Sequence, residues 1–203
     1  MPDFFADRAS FFAGVAITVA LIRYATYAYS IYKGEAKPHV FSWFLWGLIV
    51  SIGAYAQYQL DGGPSVWALA VVATGCFTFS TVALFMGKKN IRRSDWVAFI
   101  GALFAIPVWQ ATQSPLAALA IVAVIDILSL YPTLRKTWED PSTEPAFSWF
   151  LSGLRYFFTL FAVPEPTIMS LAYPFFLMTC DWLIPAVVIF RRNMLKKALL
   201  KIK

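Results

Sequence analysis

Phe41-Ser42-Trp43-Phe44-Leu45-Trp46-Gly47 returns 106 residues later as Phe147-Ser148-Trp149-Phe150-Leu151-Ser152-Gly153, with six identities in seven positions. Chance rarely gives such a match, and self-similarity at a fixed offset marks one structural unit built twice. A charged residue and a proline precede each copy, Lys37-Pro38 in the first and Glu144-Pro145 in the second. Further out the likeness continues across small gaps: Lys33 falls on Lys136, Gly75-Cys76 on Thr179-Cys180, and Lys88-Lys89-Asn90 on Arg191-Arg192-Asn193. The repeats so defined cover 9–90 and 115–193, with 91–114 as a linker and 194–203 as a basic tail.

Composition places the repeats in lipid. The chain is 60% hydrophobic and only 14% charged, whereas soluble domains carry roughly 25% charged residues. A bilayer span takes about 20 mostly apolar residues, and segments 11–32, 40–60, 65–86, 96–112, 116–134, 147–163 and 167–190 qualify. Gly, Pro and charged residues punctuate the gaps between them. Cys76 and Cys180 fall inside apolar stretches and read as small core residues. The start, Met-Pro-Asp-Phe-Phe-Ala-Asp-Arg, has two acids and no basic n-region, so the first helix is expected to be retained.

Orientation follows from the basic residues, which stay on the cytoplasmic side. Alternate loops and the C-terminal tail carry fourteen Lys and Arg, and the opposite face carries only Arg8. The sequence therefore predicts a single all-α polytopic membrane domain. It has seven spans, as two parallel three-helix repeats joined by a linker helix (3+1+3), with the N-terminus outside and the C-terminus cytoplasmic. The expected location is a cytoplasmic membrane.

Four charges remain inside the spans: Arg23, Asp126, Arg155 and Asp181. An ionised group at mid-bilayer costs about 3 kcal/mol on insertion scales, so such groups face an interior and find partners. At the offset of 103 that aligns Lys33 with Lys136, Arg23 falls on Asp126. Equivalent positions facing a pseudo-twofold axis would oppose each other there, with Arg155 and Asp181 near the same depth. Ser148, Ser152, Arg155 and Thr159 form one stripe at helical spacing. Thr74, Thr78 and Thr81 have similar spacing, although threonines also bond back to their own helix. Trp43 and Trp149 stack on a ligand or belong to the interfacial aromatic belt. His39, the sole histidine, sits beside Lys37 in a loop and reads as solvated.

No Ser-His-Asp set, Cys/His cluster or glycine-rich phosphate loop is apparent, so neither an enzyme nor a cofactor is expected. The basic C-terminal run reads as an anchor on anionic lipid and not as a nucleic-acid arm.

Tandem three-helix repeats, with a proline-bearing turn leaving the first helix, resemble the SWEET and PQ-loop superfamily. Tyr131-Pro132-Thr133-Leu134-Arg135-Lys136-Thr137 is similar to the PQ-loop phrase with threonine for glutamine, and the first repeat has Tyr29-Ser30 at that point. The chain also resembles a group of bacterial membrane proteins through residues 37–46, 93–96 and 132–136. The resemblance implies a pore between two triple-helix bundles that rocks about hinge prolines, here Pro38, Pro132 and Pro145. Sugar-carrying SWEETs place asparagines and tryptophans at the central site. This chain has only Asn90 and Asn193, both at the cytoplasmic boundary, which speaks against a sugar.

The expectation is a transporter, driven without ATP, of a small polar or zwitterionic solute. Arg23, Arg155, Asp126, Asp181, Ser148, Ser152, Trp43 and Trp149 would form its substrate site. A proton as second passenger, membrane lipids and a homo-oligomer are compatible partners. The rival is a SWEET-fold receptor or structural subunit whose inner charges only pair.

Overall fold

The computed structural model describes residues 2–59, 64–86, 91–112, 115–163 and 166–200. These residues form seven α-helices and no strand: α1 Pro2–Tyr32, α2 Val40–Gln59, α3 Pro64–Met86, α4 Arg93–Ala111, α5 Pro115–Glu139, α6 Ala146–Ala162 and α7 Ile168–Leu200. Each covers one of the seven apolar segments to within a residue at either end. Three run past the apolar stretch: α1 at its start, α5 and α7 at their ends, where Lys, Arg, Leu and Met are good helix formers. Residues 194–200 of the expected tail are therefore helical.

Helix ends follow local chemistry. Gly34, at φ 72°, takes the left-handed conformation that closes α1, while the Glu35 and Ala36 N–H groups bond the Ser30 carbonyl. Beyond α5, the Ser142 N–H donates to the Asp140 carboxylate and the Thr143 N–H to the Asp140 carbonyl, a turn that Asp-Pro favours.

The sequence repeat is visible in the backbone. Helix α2 starts at Val40 and α6 at Ala146, 106 residues apart. Their opening bonds match, with Trp43 N–H on the His39 carbonyl at 3.2 Å and Trp149 N–H on the Pro145 carbonyl at 3.3 Å. At the end of each phrase a glycine admits an aromatic ring from the next helix. A Cβ on Gly47 would lie 2.9 Å from the Phe77 ring, and one on Gly153 only 2.1 Å from Trp182.

Packing divides the chain into two compact units, Met1–Ala36 with Thr137–Lys203, and Lys37–Lys136. In the first unit α1 packs on α6, and α6 on α7. In the second α2 packs on α3 and on α4, and α5 joins through Thr133, whose hydroxyl donates to Ser42 at 2.9 Å, and through Leu128, set against Gly101. The 9–90 and 115–193 division rests on sequence; the packing partition differs from it in the first helix of each repeat. Helix α1 keeps company with the second and third helices of the later repeat, and α5 with those of the earlier one. The linker helix α4 is part of the second unit. There its Phe99 stacks on Phe41 and its Ala102 joins Leu45 and Ile125 in the core.

Two helical stretches among the described residues, Arg8–Tyr32 and Ser170–Ala198, are long and apolar enough to cross a membrane; Val40–Ile52 and Ala70–Phe85 are shorter apolar helices.

Candidate functional site

The first unit gathers three of the four charges that the sequence places inside spans. Arg23 comes from α1, Arg155 from α6 and Asp181 from α7. Ser152, one turn before Arg155, hydrogen-bonds the Asp181 carboxylate, and both arginines lie within electrostatic reach of that carboxylate. Three helices thus each send one ionisable group to a common locus, which is how apolar helices accommodate charge.

Aromatic rings surround Arg23. Its guanidinium carbon lies 4.7 Å from the Tyr24 ring centroid, 5.5 Å from Tyr27 and 5.4 Å from Trp149. The geometry suits cation–π attraction, which strengthens on desolvation, and Arg23 is buried. The Trp149 and Tyr27 rings meet edge-to-face. One residue fixes both of them: Glu144 Oε2 accepts from Trp149 Nε1 at 2.8 Å and from the Tyr27 hydroxyl at 3.1 Å. Glu144 is fully buried. Nearby, Ser148 donates to Thr26 at 3.0 Å and so joins α6 to α1. Arg155 lies over the Tyr156 ring at 4.1 Å.

Arg23, Arg155, Asp181, Ser148, Ser152 and Trp149 therefore belong to one unit. Asp126 and Trp43 belong to the other, so the expected opposition of Arg23 to Asp126 concerns two separate bodies. Asp126 is buried on α5. Trp43 packs edge-to-face on Trp46 and Phe79, and like Trp149 it is 1% exposed. Among the expected hinges, Pro38 and Pro132 are buried and Pro145 is half-buried; α5 continues through Pro132. Thr74, Thr78, Thr81 and Thr159 all bond carbonyls of their own helices.

A second polar cluster corrects the reading of His39. The imidazole is 4% exposed, because the segment before α2 lies against the start of α4 and the end of α5. Asp95, completely buried, organises the cluster. From the third position of α4 it accepts the Arg92 N–H at 2.8 Å, half of a capping box. It also takes Arg135 bidentately, at 2.8 and 2.7 Å. His39 Nε2 lies 3.3 Å from Asp95 Oδ2, and neither ring nitrogen makes a hydrogen bond among the described residues. Lys136, also buried, donates to the Lys37 carbonyl.

Burial pushes the His39 imidazole down to about 4 from its ordinary 6.5; Asp95 opposes the shift, and Lys136 and Arg135 add to it. Burial works to raise the Asp95 carboxyl, but the Arg135 and Arg92 hydrogen bonds outweigh it and hold the group below its ordinary 3.8. The resting cluster is a neutral imidazole beside a carboxylate held by the Arg135 guanidinium.

Sequence reasoning missed Glu144, Asp95 and this histidine environment. Glu144 stands just before the second copy of the repeated phrase, and Asp95 lies at the start of a helix between two basic residues and a tryptophan. Charge at those two positions was the available signal.

Among the described residues no group of three or more His, Cys, Asp and Glu could hold a metal ion. No family model, curated protein or solved structure matches the chain.

Proposed function

We propose that the chain is a seven-span membrane transporter of SWEET-like architecture, N-terminus outside and C-terminus cytoplasmic. It carries a small polar or zwitterionic solute across a bacterial inner membrane by alternating access, without ATP. The observation that carries the reading is the first-unit cluster: two guanidiniums and a carboxylate contributed by three helices, with serine hydroxyls and a tryptophan face beside them. An amino-acid-like solute offers one carboxylate and one ammonium. Arginine takes carboxylates with paired N–H groups, so Arg155 and Arg23 hold the anionic end, and Asp181 with Ser152 holds the cationic end. Ionisable groups within spans mark solute or proton paths by default. The charge asymmetry between alternate loops supports the orientation.

One observation favours a rival. Ser152 hydrogen-bonds Asp181, and Arg155 lies within electrostatic reach of that carboxylate, inside a single unit, as in a structural subunit whose charges only fix helix register.

Uptake into proteoliposomes separates the two readings. Native protein should accumulate an amino-acid-class solute, and Asp181→Asn and Arg155→Gln should each lower uptake at least 10-fold while remaining folded. Folded variants that transport at the native rate, or a native protein inert to every solute class, would leave the structural reading.

A further inference from the structure

The chain passes between its compact units twice, at Ala36 to Lys37 and at Lys136 to Thr137. Both passages leave the second unit at one place, because the Lys136 ammonium donates to the Lys37 carbonyl.

The segment just beyond Pro132 is pinned here to three elements. Thr133 donates to Ser42 on α2, Arg135 holds Asp95 on α4, and Lys136 holds the strap that leads into α2. His39 lies inside this clasp, buried, 3.3 Å from Asp95 and without a hydrogen bond to either ring nitrogen. The charged groups that bear on it are Asp95 from α4 and Arg135 and Lys136 from α5. A neutral ring fits among them. An imidazolium would add a third cation to a buried group that holds one carboxylate, and burial without full compensation is costly.

We propose that His39 is a proton-binding site whose occupancy releases the 133–136 segment from α2 and α4 within the second unit. The inference deepens the transport reading, on which its purpose rests, by naming the proton as the coupled ion.

The sign follows from linkage. The clasped state binds the proton less well than an exposed imidazole does, with midpoints of about 4 and 6.5. That difference is about 300-fold in proton affinity, and by reciprocity proton binding favours the open clasp by the same factor. Clasp stability is full above pH 6.5 and declines as the pH falls toward 4.

His39 is the only histidine, so imidazole NMR of the full chain in detergent micelles follows one titration. The midpoint should lie between about 4 and 6.5, lifted above the clasped value by release of the segment and held below the exposed value by the clasp. Backbone-amide exchange over residues 131–137, corrected for the intrinsic pH dependence, should lose protection by up to about 10-fold per pH unit below 6.5. His39→Gln should abolish that slope. If H39Q does not fold, the wild-type titration and protection profile decide alone. A midpoint near 6.5, protection indifferent to pH, or a native slope retained in H39Q overturns the proposal. Neither measurement uses a solute, so a failed titration removes the proton site and leaves the transport reading, and failed uptake with a shifted titration does the reverse.

Discussion

Replacing Asp95 with asparagine tests whether the second-unit cluster is an integral part of the fold. The carboxylate is fully buried and accepts three hydrogen bonds, two from Arg135 and one from the Arg92 N–H. Asparagine preserves shape and one carbonyl oxygen, so the Arg92 bond survives. Arg135 then loses its counter-charge while its side chain is only 10% exposed. Breaking a buried pair by removing one partner costs about 3 to 5 kcal/mol. The slight exposure of Arg135 places Asp95→Asn near 3 kcal/mol, and Arg135→Gln should cost a similar amount. The double variant should cost less than the two singles together by about 2 kcal/mol, the coupling expected of residues in direct contact. Equilibrium unfolding in mixed micelles at neutral pH reads all four corners of the cycle. Single variants within about 0.5 kcal/mol of native, or strictly additive costs, would refute the pairing.

Further tests address the first unit. Gly153→Ala places a methyl 2.1 Å from the Trp182 ring, whose Nε1 donates to the Phe150 carbonyl. Overpacking of about 1 to 3 kcal/mol and strain on that bond outweigh the gain in helix propensity of about 1 kcal/mol. Gly47→Ala, which meets the Phe77 ring at 2.9 Å, should cost less; tryptophan fluorescence melts would rank the two. Glu144→Ala removes the acceptor shared by Trp149 and Tyr27 and should destabilise by about 2 to 3 kcal/mol, whereas Glu144→Gln keeps an oxygen and should cost about 1 kcal/mol. Near-ultraviolet circular dichroism would report the loosened Trp149.

Some of this was legible in the sequence because it is local. The repeated phrase led to helices that start at equivalent residues, to two glycines that each admit a ring, and to two serines, Ser42 and Ser148, that each meet a threonine hydroxyl. Periodicity and punctuation carry such features directly. The clustering of Arg23, Arg155 and Asp181 was partly legible, since charges within apolar segments must seek partners, but the pattern could not say which partners.

The environment of His39 was hidden. Its burial depends on Asp95 and Arg135, which lie far along the chain on other helices, and a lone histidine beside a lysine looks like loop. Glu144 was hidden for a related reason: an acid before a proline suggests a solvated turn, and only Tyr27 from α1 and Trp149 from α6 turn it into a buried acceptor. The company kept by α1 and α5 was not legible either. A repeat records which segments share ancestry, and packing then chooses among equivalent partners.

The central claim is that the first-unit charges hold a solute with both a carboxylate and an ammonium. A ligand that binds only the folded state raises its apparent stability in proportion to occupancy, so the most direct measurement is a thermal-shift titration of native protein and Arg155→Gln against amino acids, organic acids and sugars. The account predicts a saturable rise with an amino-acid-class solute that Arg155→Gln loses. A rise confined to sugars, or one that Arg155→Gln retains in full, would contradict it.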